Sequence, residues 1–158
     1  MKRRHRNGRE IAAPLLVAGA CATVPSLTTP GGWERFEIEP GVEFAVPPDA
    51  QRAGGTAVDS VVGVFDGDGY RITYDLGRFG ENLQSLLGEE SYRSQPRDIG
   101  GRSAVKIAFR PSDEPFAWAR IAQVDAGSGQ TLTVRVSCQS VERCTLAEDL
   151  FDSIVLTR

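Results

Sequence analysis

Residues 58–76, Val-Asp-Ser-Val-Val-Gly-Val-Phe-Asp-Gly-Asp-Gly-Tyr-Arg-Ile-Thr-Tyr-Asp-Leu, decide the fold class. Val58 to Phe65 is rich in β-branched and aromatic residues, as a strand is. Asp66-Gly67-Asp68-Gly69 is a turn signal. Tyr70 to Leu76 alternates apolar and polar residues, so it reads as the returning half of a hairpin. A Ca²⁺ loop starting at Asp66 would need a Glu at its twelfth position. Gly77 stands there, which leaves the tight turn.

The same period of two recurs on both sides. Upstream, Arg35–Glu39 alternates, turns at Pro40-Gly41, and resumes over Val42–Val46 until Pro47-Pro48. Residues 49–57, with Gly54-Gly55, read as loop. Downstream, Tyr92–Ile99 reads as extended with an interruption at Pro96. Ser103–Arg110 carries Val105, Ile107 and Phe109 on one face. Phe116–Val124 and Gln130–Cys138 follow, joined through Gly127-Ser128-Gly129. Two segments have helical spacing instead. Glu81–Leu87 places Leu83, Leu86 and Leu87 on a stripe and stops at Gly88. Thr145-Leu146-Ala147-Glu148 matches a capping box and opens a helix over about 146–153, with Leu146, Leu150, Phe151 and Ile154 on its apolar side. The expectation is one α+β domain over 33–158: a largely antiparallel sheet of six to eight strands with two short helices. The connections are too short for repeated parallel crossovers.

The N-terminus has a different composition. Lys2, Arg3, Arg4, Arg6 and Arg9 precede the apolar run Ile11–Ala20. That run is shorter than the roughly 20 residues of a spanning helix. A basic end, a short apolar run and small residues at its close describe a secretory signal peptide, here 1–20. Ala18-Gly19-Ala20-Cys21 resembles a bacterial lipobox, although Ala18 stands where that motif usually has Leu. The resemblance implies cleavage before Cys21, a lipid on that residue, and a tether over 21–32. Ordinary cleavage after Ala-x-Ala, giving a soluble secreted protein, is the alternative. Removing the leader takes five basic residues and one acid, and leaves 13 basic against 20 acidic, net about −7. That balance argues against nucleic acid as a partner. Cys138 and Cys144 remain as a pair that an oxidising compartment would join.

The order of elements resembles the Mog1/PsbP-like group of small domains. The likeness rests on a strand running from Phe to Pro (Phe36 to Pro40, or Phe44 to Pro48), on Asp98-Ile99-Gly100-Gly101-Arg102-Ser103-Ala104, and on the terminal Phe151-Asp152-Ser153-Ile154. It spans 34–157 and implies a non-enzymatic sheet domain, often on secreted or lipid-anchored proteins.

The chemistry the residues exclude is as informative. His5 is the sole histidine, and it lies in the expected leader. The mature chain would then lack Ser-His-Asp and Cys-His catalysis and His-containing zinc sites. No metal, cofactor or catalytic residue is expected. Gly54-Gly55 and Gly100-Gly101 lack the pattern of a phosphate cradle. Among the aromatics, Phe116 and Trp118 are expected in the core, with Trp33 at the junction of tether and domain. The expected function is binding or assembly at the membrane surface by an envelope lipoprotein, facing the periplasm and meeting an envelope protein partner. A soluble periplasmic binding domain, a cytosolic protein-binding domain with reduced cysteines, and a carboxylate-dependent hydrolase are the alternatives.

Overall fold

The protein is described by a computed structural model over residues 29–55, 57–112 and 115–157. The expected leader, Cys21 and most of the tether lie outside these residues. The described chain forms strands β1 (Glu34–Glu39), β2 (Val42–Val46), β3 (Gln51–Arg52), β4 (Ser60–Gly67), β5 (Tyr70–Gly77), β6 (Glu90–Ile99), β7 (Arg102–Arg110), β8 (Trp118–Gly127), β9 (Gln130–Cys138) and β10 (Val155–Leu156). It also forms one helix, α1 (Leu146–Asp152), and 3-10 turns at Leu83–Leu86 and Arg143–Thr145.

Seven strands make an antiparallel sheet in the order β3-β4-β5-β9-β8-β7-β6. β1, β2 and β10 make a smaller antiparallel sheet. This is the expected α+β architecture. The strand count differs because β3 and β10 are two-residue strands, too short to show a period. Within β6 the pairing with β7 runs through Pro96, opposite Val105. β6 is an edge strand, where a proline costs no ladder bond that a neighbour needs.

Alternation sorts the large sheet into two faces. Ile72, Tyr74 and Leu76 of β5, Leu132, Val134 and Val136 of β9, and Ala122 and Val124 of β8 point one way and are buried. The small sheet and α1 cover them with Val42, Phe44, Ala147, Leu150, Phe151 and Ile154. Each large side chain so buried contributes about 1.5–3 kcal/mol. Phe36, Phe44, Phe65 and Tyr74 interlock, with ring centroids 5.0–6.3 Å apart. Two glycines fit this face for a stated reason. Gly63 pairs with Tyr74 and Gly67 with Tyr70, and each tyrosine ring occupies the space a Cβ on its glycine would need.

Two connections hold α1 to the sheet. The Cys138–Cys144 disulfide joins the end of β9 to the turn before the helix, with Cα atoms 5.5 Å apart. Glu148 of α1 accepts hydrogen bonds from Lys106 Nζ and from Arg120 NH1, the latter at 2.8 Å. This replaces the expected capping box. Thr145 has helical backbone angles, makes no side-chain cap, and donates its hydroxyl to the Glu142 carbonyl at 2.7 Å. The preceding 3-10 turn already supplies the helix entry, and two cations outcompete one backbone amide for the Glu148 carboxylate.

Replacing Cys138 and Cys144 together by Ala should cost about 2 kcal/mol, the loop-closure value for so short a loop. Urea denaturation without reductant checks this, and an unchanged midpoint would refute it. Partial burial alone would push the Glu148 carboxyl up, but Lys106 and Arg120 outweigh it and hold the group below its ordinary value. The contribution is therefore complete above the unfolded value of about 4.3 and fades as pH falls through the lower folded value. Glu148→Gln should be less stable at neutral pH and lose less on acidification, read from urea midpoints across that range.

Candidate functional site

The opposite face of the large sheet is only partly covered. The segment after β5 crosses β9 and β8 and then lies on β7. Gly80 sits so close that a Cβ there would approach Gln123 Nε2 to 2.5 Å and Thr133 Oγ1 to 3.2 Å. Gln123 Nε2 donates to the Glu81 carbonyl at 3.0 Å, and Arg135 NH1 meets Glu81 Oε1 at 3.2 Å. Asn82 Oδ1 then accepts from the Gln84 amide at 3.1 Å and starts the 3-10 turn. Leu83 and Leu86, three residues apart, fall on one side of a turn with three residues per rotation. They pack on Ile107, Phe109, Ala119 and Ile121 as a second apolar cluster. The sequence expectation was a longer helix with Leu87 on the same stripe. Leu87 instead points outward, 56% exposed, because the turn ends after one rotation.

That strap leaves β4, β5 and β9 bare on this side. Two adjoining hollows result, of about 390 and 360 Å³, sharing Thr73 and Arg135. Val62 and Val64 of β4, Asp75 of β5, and Glu81 and Thr133 line the first. Arg71, Phe116 and Ser137 line the second. The register explains the grouping. Thr73 lies opposite Arg135 and Asp75 opposite Thr133, while Val64 and Val62 flank them from β4. Phe116, expected in the core, is only partly buried here and sits 5.9 Å from the Arg71 guanidinium. Trp118 and Trp33 pack at the edge of the main core as partly buried residues.

The charges in these hollows are mostly committed. Arg135 serves Glu81 and lies over the Phe109 ring at 5.2 Å. Arg71 meets Asp66 at 2.6 Å. Asp75 Oδ1 is buried and has no hydrogen-bond partner among the described residues. Such an atom costs free energy unless water or a ligand donates to it. The arrangement can accept a hydrogen-bond donor between two threonine hydroxyls and a carboxylate. Among the described residues no group of three or more His, Cys, Asp or Glu side chains is placed to hold a metal ion. None of these residues was singled out by the sequence. Their spacing of 73, 75, 81, 133 and 135 acquires meaning only from strand register.

The predicted pair Cys138 and Cys144 lies at the other side of the sheet, away from these hollows and beside α1. Cys21 lies outside the described residues. No helix among the described residues is long and apolar enough to cross a membrane.

No family model matches the chain, and no curated protein matches it. Among solved structures it is similar to the solution structure of cyanobacterial PsbP (CyanoP) from Synechocystis sp. PCC 6803. The match has a TM-score of 0.54 at 14% identity, and covers 88% of this chain and 98% of that one. A likeness at that identity speaks for backbone architecture alone, so the chain has a PsbP-like fold.

Proposed function

We propose that this chain is a non-enzymatic envelope lipoprotein, anchored through a lipid on Cys21, whose PsbP-like domain acts in binding or assembly at the membrane surface. The observation that carries the reading is the pairing of Cys138 with Cys144 in a chain that opens with a leader-like segment ending Ala18-Gly19-Ala20-Cys21. Disulfides persist in oxidising compartments, which an exported protein reaches and a cytosolic one does not. The PsbP-like fold agrees with the sequence resemblance that implied a non-enzymatic sheet domain of secreted or lipid-anchored proteins. The residues support the non-enzymatic part. With the leader removed the chain has no histidine, and its two remaining thiols are joined. The first hollow on the uncovered face is lined by two carboxylates, Asp75 and Glu81, but Glu81 is tied to Arg135. That commitment weighs against a paired-carboxylate hydrolase, which needs both acids available.

A soluble periplasmic protein is the second reading, since Ala18-Gly19-Ala20 also suits ordinary cleavage. Detergent-phase partitioning of the full chain expressed in a bacterial host separates the two. The wild-type protein should enter the detergent phase, and Cys21→Ala should move to the aqueous phase. Intact mass without reductant should give an acylated N-terminus at Cys21 and a mass two protons short. An unmodified N-terminus at Cys21 or Thr23 would establish the soluble reading. A full-length, reduced protein would sink both.

A further inference from the structure

On the face of the large sheet that carries α1, beyond the edge of the main core, a third hollow of about 200 Å³ opens between the helix and β6. Its composition is opposite in sign to the chain as a whole. Register brings three rows of side chains together there. Arg93 of β6, Ala108 of β7 and Arg120 of β8 form one row. Gln95, Lys106 and Ala122 form the next, and Arg97, Ala104 and Val124 the third. The alanines keep the floor low between the long cationic side chains. Arg93 and Arg120 stand two strands apart, about 10 Å at the backbone. That separation lets two guanidinium groups converge on one ligand.

The ionic arrangement is unbalanced. Arg93, Lys106 and Arg120 line the hollow against a single carboxylate, Glu148. Lys106 and Arg120 share that carboxylate. Arg93 and Arg97 are exposed, and neither has an acid partner among the described residues. Lys106 is 8% exposed, the one buried charged residue among those described, and its ammonium stands over the Phe151 ring at 5.7 Å. Keeping a cation there needs compensation from anionic oxygen. The Glu148 carboxylate shows that the cations on this floor are aimed to hold such oxygens. The surplus of two positive charges matches a dianion. Guanidinium forks match phosphate oxygens in geometry as well as in sign.

We propose that this hollow binds a phosphate group, carried either by a soluble phosphorylated compound or by a lipid headgroup. Arg93 and Arg120 grip its oxygens across Ala108, Lys106 supplies the charge beneath, and Arg97 extends the cationic rim. The volume admits one such group and a few carbons. Larger parts of a ligand would lie along β6 in solvent.

The test compares the full chain with its Arg93→Gln/Arg97→Gln variant. Both arginines are exposed and unpaired, so the variant should fold with an unchanged urea midpoint. Titration of each isotope-labelled protein with sodium phosphate is followed by amide shifts. The wild type should show saturable shifts confined to the strands and helix around the hollow, residues 93–97, 104–108, 119–121 and 148–151, and the variant should bind about tenfold more weakly or worse. A second arm measures co-sedimentation with phosphatidylcholine vesicles with and without phosphatidic acid, whose phosphomonoester headgroup can carry the second negative charge that the phosphodiester of phosphatidylcholine lacks. The basic N-terminal residues are common to both proteins, so only a difference between them reports on the hollow. Weaker vesicle binding by the variant identifies a headgroup as the source. Equal vesicle binding, with the phosphate response lost, identifies a soluble compound. Equal phosphate responses in both proteins, or shifts mapping elsewhere, overturn the proposal.

Discussion

An antiparallel sheet presents two faces, and seven strands of apolar alternation cannot leave both of them open. Burying the face that carries Ile72, Leu76, Leu132, Val134, Val136 and Val124 is the constraint on which this domain depends. The small sheet and α1 are the pieces of chain available to do it. Both come from the ends of the described residues, so the fold closes by bringing β10 beside β2. Ser153 marks that closure. Its hydroxyl accepts from the Ala45 amide at 2.8 Å and donates to the Leu150 carbonyl at 2.6 Å, with no exposure at all. A buried hydroxyl with both roles filled is tolerated where an unfilled one would be costly.

The cover does not reach the whole sheet, and the hollows lie at its two margins. On the covered side α1 is seven residues long, so β6 and part of β7 extend past it. There the exposed positions become Arg93, Gln95 and Arg97, and Lys106 lies half beneath the helix. On the other side the strap through Glu81 and Leu86 shields β7 and β8 but leaves β4, β5 and β9. The same short supply of covering chain thus generates a cationic hollow on one face and a polar one on the other.

Much of this was legible as pattern. The hairpin at Asp68-Gly69, the turns at Gly100-Gly101 and Ser128-Gly129, and the strands they join follow from period-two alternation and turn chemistry. Both residues of each of the latter two turns have positive φ, between 54° and 77°, as tight hairpins demand. Elements failed where tertiary partners outbid local signals. Thr145 and Glu148 have the letters of a capping box, yet Lys106 and Arg120, 42 and 28 residues away, take the carboxylate. Leu87 has helical spacing, yet the sheet offers a surface only one rotation long. Phe116 is apolar, yet it follows the end of the sheet's cover and rests beside Arg71. The hollows were illegible for a related reason. Residues 93, 106 and 120 share no local motif, and strand order alone makes them neighbours.

Pro96 and the charges of β6 answer a further question about the free edge. A ten-residue edge strand is a template for pairing with another chain. β6 carries a proline, Glu90, Arg93, Arg97 and Asp98, and a bulge between Glu90 and Arg93. Ser91 within that bulge has φ of 59°. Each feature raises the cost of adding a flat strand, so what β6 offers to solvent is its side-chain surface rather than its backbone edge. That surface is the row Arg93, Gln95, Arg97. The residues that protect the sheet from pairing with other strands are therefore the same ones that give the cationic hollow its rim. Their charge serves solubility even when no ligand is bound, so the site costs the fold little to maintain.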